Sequence, residues 1–385
     1  MNLDEIDFTE YETKYEEHIK IANEYANKLE KKIAKEPNNT KVRNNLAISL
    51  MEANRYQEAF LHLEEAAKRD PNVQSLFNLA YFYSTEGKPI MSKVIEKEEE
   101  SEKEAQPLEE KAIEEEAEEY SWEIAEDEAF ELLEKIMKLD PQHYFPYNLM
   151  GEMYIKKEEY ETAITFFKQA VSHTPSLENL HNLGMCYYKK GMISTAVDYF
   201  GKAHALRSER NLTLWPMLCY GVCLAQLGRK EEAKAIAKEM LIISEKEEQE
   251  FQSDIAEIYY FVDDYKEFVN EYSKLDWVFY SVEYLPPYFY SLWKLGLSEE
   301  IEKLADEVIA NKEKQIEEVL NDPEECDDFD KVEYEAEIRE EIAFVKKTVQ
   351  DVYAGIRPTV KFEPYLETGC YFYGCFRHNN PNPTY

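Results

Sequence analysis

A phrase of about 34 residues recurs along this chain, and recurrence at that period constrains the fold more than any single residue does. One copy, NNLAISLMEANRYQEAFLHLEEAAKRDP, ends at Pro71. A second, PYNLMGEMYIKKEEYETAITFFKQAVSHTP, ends at Pro175, and a third, ENLHNLGMCYYKKGMISTAVDYFGKAHAL, ends at Leu206. Small residues return at matched places: Ala47, Gly151 and Gly184 early, Ala59, Ala163 and Ala196 in the middle, Ala66, Ala170 and Ala203 late. Tyr56 and Tyr160 each stand three residues before the middle alanine. In the first copy Leu46, Ala47 and Leu50 fall on one helix, and Ala59, Leu63 and Ala66 on the next. Spacings of three and four mark one apolar stripe on each. The closing proline breaks the second helix and starts the turn into the next pair.

These residues resemble the tetratricopeptide repeat, whose pattern is a large-apolar, small, aromatic helix followed by an Ala-aromatic-Ala helix. The resemblance covers roughly residues 40–312. It implies an all-α, right-handed superhelical solenoid with capping helices at both ends. A helix pair of this kind cannot bury its own apolar face, so pairs must stack, and small residues let neighbouring helices approach closely. The architecture narrows function to partner binding without naming the partner.

Residues 1–39 are predicted to form an N-terminal capping helix, with Tyr15, Ile19, Ala22, Ala26, Leu29 and Ile33 as its stripe. About seven repeat or repeat-like pairs follow over 40–312, the later ones weaker; Phe268, for instance, stands where alanine is usual. The second pair is interrupted at about 88–124 by an acidic insertion containing EKEEESEKEAQPLEEKAIEEEAEEY. Such a like-charge block stays solvated and mobile, with 92–118 the most mobile internal part, while its portion from Pro107 has the propensity to extend the following helix towards Trp122. Residues 313–355 are predicted to be C-terminal capping helices. The tail, 356–385, is rich in Pro, Gly and aromatics and is expected to pack back on the body.

The net charge is −36, from 80 acids against 44 bases, in 385 residues. An aromatic content of 14% argues against disorder over most of that length. No basic patch stands out for phosphates, so nucleic acid is not an expected partner, whereas a basic protein partner is electrostatically favoured. The N-terminus is acidic without an apolar core, and no run approaches the roughly 20 apolar residues of a membrane span. A cytoplasmic protein without membrane contact is therefore expected.

No P-loop, dinucleotide fingerprint, H-E-x-x-H or G-x-S-x-G occurs, so neither an enzyme nor a cofactor is expected. Cys370, Cys375 and His378 form C-x4-C-x2-H, a weak metal pattern without an evident fourth ligand. Packing is the plainer role for these cysteines and for Cys219 and Cys223.

In the repeat family the first helix of each pair lines a concave groove. Carried over by position, the resemblance places Asn44, Phe77, Tyr81, Asn148, Glu152, His181, Met185 and Tyr188 there, and Asn45, Asn78 and Asn182 beside it. An asparagine amide can bond a peptide backbone at both its C=O and N–H. The basic residues of the family's carboxylate clamp are absent, since Asn44, Phe77 and Asn148 stand in their places. The leading expectation is a non-enzymatic adaptor or scaffold holding a protein or peptide segment in this groove. Two alternatives are an acidic inhibitor or immunity-type protein neutralising a basic partner such as a nuclease toxin, and a peptide-responsive bacterial signalling regulator.

Overall fold

The computed structural model describes residues 9–90, 121–207, 214–246, 251–275, 281–321, 331–367 and Phe372. The segment 92–118, Cys370, Cys375 and His378 lie outside these. The chain divides into two compact units, one formed by 8–158 with 369–385, the other by 159–368 with the first seven residues.

The first unit is built from α1 (Thr9–Ile33), α2 (Thr40–Glu52), α3 (Tyr56–Arg69), α4 (Val73–Thr85), α5 (Glu126–Leu139) and α6 (Tyr144–Lys156). Asn39 caps α2 through its side chain, and Asn72 forms a reciprocal capping box with Ser75 at the start of α4. The recurring small positions lie fully inside: Ala47, Ala59 and Ala66 have no exposed surface. Around them Leu46, Leu50, Leu63 and Phe82 close the core.

The expected helical extension towards Trp122 does not form. Instead β1 (Lys88–Ile90) and β2 (Ser121–Glu123) pair antiparallel, with Pro89 opposite Trp122, and α5 begins only at Glu126. The Trp122 ring meets Phe60 edge-on at 6.0 Å and lies 5.8 Å from Phe82. Packing a partly buried indole against two rings and pairing the strand backbone outweighs a propensity difference of a few tenths of a kcal/mol per residue. The two ends of the insertion are thereby pinned together, and the α4–α5 pair keeps its packing.

The second unit continues with α7 (Tyr160–His173), α8 (Leu177–Lys189), α9 (Ile193–Ala205), α10 (Trp215–Gln226), α11 (Lys230–Lys246), α12 (Gln252–Phe261) and α13 (Tyr265–Tyr272). Then come α14 (Leu285–Lys294), α15 (Ser298–Asn321) and α16 (Lys331–Tyr353). Ala163, Ala170, Ala196 and Ala203 are again fully buried. Pro286 and Pro287 open α14, where missing amide donors cost nothing. Phe268, in the alanine place, is also fully buried, so this pair keeps its core with a ring instead of a close approach. α15 is continuous from Ser298 to Asn321, so the expected boundary at 312/313 falls inside a helix. Its end packs through Ile316 on Ile338 and Ile342 of α16.

The turn inside the helix pairs, the interrupted α4–α5 pair excepted, repeats one geometry. Asn54, Glu158, Gly191, Gly228, Asp263 and Gly296 all adopt a positive φ between 59° and 77°. At most of these turns the next amide reaches back over the helix end, as in Arg55 N–H to Leu50 O at 2.8 Å and Met192 N–H to Tyr187 O at 2.9 Å. A glutamate tolerates this conformation poorly, at a cost of about 1 kcal/mol. Glu158→Gly is accordingly expected to stabilise the protein by about 0.5–1 kcal/mol, read as a rise in urea midpoint. A fall would show that the side chain itself holds the turn.

Candidate functional site

The expected groove residues are placed almost entirely in the interior. Asn44, Phe77, Asn78, Asn148, Glu152, His181, Asn182 and Met185 are buried, while Asn45, Tyr81 and Tyr188 are partly so. What covers them differs between the two units.

In the first unit, Asn78 Nδ2 donates to Asn44 Oδ1 at 3.2 Å, and Asn148 Nδ2 to Glu152 Oε1 at 2.8 Å. These amides are thus bonded to neighbouring side chains. Phe77 stacks parallel to Tyr81 at 6.5 Å and meets Phe145 at 5.4 Å. The tail residue Phe372 sits edge-on against Tyr81 at 4.6 Å.

In the second unit, the first-helix side chains bind the chain's own C-terminal segment. After α16, Gly355 turns the backbone at φ 77°. Arg357 anchors it: one guanidinium nitrogen pairs with Asp263 at 3.0 Å, another donates to Tyr260 O at 3.0 Å, and the group lies 5.0 Å above the Tyr260 ring. Tyr260 OH donates to Pro358 O at 2.8 Å. The segment then runs extended, because Pro358 and Pro364 exclude helix and withhold amide donors. Phe362 and Pro364 face inward, Glu363 and Tyr365 outward, in the period of two that extended backbone imposes.

The backbone of this segment is read by side chains. Asn182 donates from Nδ2 to Glu367 O at 2.9 Å and accepts at Oδ1 from Glu367 N–H at 2.9 Å. One amide thus satisfies both polar groups of one residue. The Tyr365 carbonyl accepts from His181 Nε2 at 3.0 Å and from Trp215 Nε1 at 3.3 Å. Tyr188 OH accepts from Gln226 at 2.9 Å and reaches Phe362 O at 3.4 Å, with its ring edge-on to Phe362 at 5.7 Å. The Trp215 ring lies 4.9 Å from Tyr365.

Burial holds the His181 imidazole neutral, pushing it down to about 4, so Nε2 carries the donated proton across the ordinary pH range. Burial, then the nearby Glu178 charge, pushes the Glu367 carboxyl up to about 7.

Trp215, Gln226, Tyr260 and Arg357 are absent from the sequence reading. A signal existed for Trp215, which stands one helical turn before Leu218, the α10 residue that matches His181 of α8 by repeat position. None existed for Arg357, whose partners lie about 95 residues away or more in the chain. In the next pair Cys219 replaces the asparagine, so the two-point amide contact belongs to α8 alone among the described helices of this unit.

Beside the segment, a cavity of about 530 Å3 is walled by Trp215, Tyr272, Tyr284 and Phe362, with Asp254 and Glu257 facing it. Burial, then the adjacent Asp254, pushes the Glu257 carboxyl up to about 8, and burial also raises Asp254. No group of three or more His, Cys, Asp or Glu among the described residues is arranged to hold a metal. No helix there is long and apolar enough to cross a membrane.

Residues 41–69, and again 146–176 and 177–209, match family models of the tetratricopeptide repeat. Over 105 residues the chain is 31% identical to cilia- and flagella-associated protein 70 of Macaca fascicularis and of Homo sapiens. That stretch is 27% of this chain but only 10% and 9% of those proteins, so the chain spans about a tenth of these curated relatives. Among solved structures, the APC/C hetero-tetramer Cut9–Hcn1 is similar at 14% identity and a TM-score of 0.45, over 67% of this chain and 43% of that one. Pseudomonas aeruginosa pilF matches at 15% and 0.44, over 61% and 87%. Yeast Tom70 matches at 14% and 0.40, over 88% and 60%.

Proposed function

We propose that this chain, a member of the tetratricopeptide-repeat family, is a non-enzymatic binding module that holds an extended protein segment along the first helices of its second unit. The family fold is a protein-interaction scaffold. The observation that carries the finer reading is the two-point bond between Asn182 and the backbone of Glu367. Side chains that bond backbone rather than side-chain atoms recognise a peptide as a peptide, and the flanking rings supply contact area at small entropic cost. His181 and Trp215 extend the same recognition to a carbonyl two residues earlier, the spacing at which extended backbone presents groups to one side.

The test is selection of peptides from a displayed library by the full-length chain, followed by affinity measurement at two salt concentrations. Tyr188→Ala is expected to weaken binding at least tenfold, since it removes both a ring face and a hydroxyl from the groove, and raised salt to weaken it only modestly. The reverse order, salt abolishing binding and Tyr188→Ala leaving it intact, would transfer the site to the acidic surface.

A further inference from the structure

We propose that residues 358–367 are a displaceable resident occupant of this groove, and that the partner is an extended segment of the same chemistry, an aromatic-x-Pro-aromatic sequence, which must displace it. The proposal rests on the groove reading above. It adds what the partner looks like and what controls access to it.

The resident sequence is F-E-P-Y-L-E, residues 362–367. Four of its residues meet a complementary feature. Phe362 is buried against Tyr188, and its ring lies 6.1 Å from Trp215. Pro364 is buried and keeps the backbone extended without bringing an amide that would need a partner. Tyr365 gives its carbonyl to two donors and lays its ring on Trp215, while two thirds of its surface stays exposed. Glu367 gives both backbone groups to Asn182.

Two observations separate an occupant from a fixed piece of core. The groove holds the segment mainly through backbone groups and rings, whereas Glu363 is exposed and reaches α8 only through a 4.0 Å ion pair with Lys189, and Tyr365 covers Trp215 with one face of a largely exposed ring. The Glu367 carboxyl sits partly buried with the like charge of Glu178 nearby, so its side chain opposes docking while its backbone bonds favour it. Arg357, with its Asp263 and Tyr260 contacts, tethers the near end of the segment next to the groove. A tether that short keeps the local concentration of the occupant in the millimolar range, so an incoming segment competes at a disadvantage of about ten- to a hundredfold.

The experiment uses the full chain and a fluorescent synthetic peptide of residues 356–368, IRPTVKFEPYLET. Wild type should bind it weakly. A Phe362→Ser, Tyr365→Ser double variant, which undocks the resident segment but leaves α8 and α10 untouched, should bind it ten- to a hundredfold more tightly. Adding Asn182→Ala should abolish that gain. No gain in the double variant overturns the proposal. Should the double variant fail to fold, hydrogen exchange on wild type decides: the Glu367 amide is expected to exchange well before the α8 core amides, and equal protection would make the segment permanent core and overturn the proposal. If library-selected peptides depend on Tyr188 and Asn182 while undocking brings no gain, the resident-occupant proposal falls and the groove reading stands. If no peptide depends on Asn182 or Tyr188, both fall.

Discussion

Phe200→Ala is expected to destabilise the protein by about 3–5 kcal/mol, in the range of other buried aromatic truncations. Phe200 is fully buried on α9, and its ring occupies the notch left by Gly184 on α8. A Cβ built on Gly184 would lie 2.9 Å from the Phe200 ring, and a rigid ring held between two helices has little room to yield. The ring also packs 5.1 Å from the His181 imidazole, so its loss loosens the wall that aims Nε2 at the Tyr365 carbonyl. A coupled variant gives the sharper check. Gly184→Ala alone should cost about 1–3 kcal/mol through overpacking. In a Phe200→Leu background the clash is relieved, and the gain of up to about 1 kcal/mol from replacing a helical glycine should emerge. The two substitutions are thus expected to be strongly non-additive in urea unfolding. Equal effects of Gly184→Ala in both backgrounds would mean that α8 and α9 do not meet here.

The second large effect expected is a loss of stability as pH rises from about 4.5 to about 8. The Glu257 carboxyl is raised from its ordinary 4.5 to about 8, chiefly by burial and then by Asp254. Below 4.5 it is protonated both folded and unfolded, and its contribution is fully present. Between 4.5 and 8 the unfolded chain releases the proton and the folded chain retains it, so stability falls as pH rises, and above 8 the loss is complete. The side chain keeps some contact with solvent, so the loss is about 3 kcal/mol rather than the full value of the shift. Glu367, raised to about 7, acts in the same sense on the docked segment. Glu257→Gln should flatten the profile, gaining stability at pH 8.5 and changing little at pH 4. Parallel wild-type and variant profiles in urea titrations would show that this carboxyl is as well solvated folded as unfolded.

Much of the fold is legible in the chain because the repeat is local. Ala59, Ala163 and Ala196 mark where helices cross, and all are fully buried. Gly191, Gly228 and Gly296 mark the left-handed turns, although Asn54, Glu158 and Asp263 do the same work with side chains. The base of the insertion was not legible. Lys88–Ile90 and Ser121–Glu123 are too short to show a pattern, and they are held by each other and by the distant rings of Phe60 and Phe82.

By itself, the sequence determines the helix-pair class and the faces each helix presents, since both follow from spacings of three and four and from small residues at a fixed period. It also marks His181 and Tyr188 as one face of one helix, with Asn182 beside them. That Asn182 would bond a backbone 185 residues further along is decided only by the tertiary structure. The tail carries no periodicity that names its partner. Its place depends on where α16 ends, how Gly355 turns it, and whether Arg357 meets Asp263 and Tyr260, and such long-range contacts exist only once the helices have stacked.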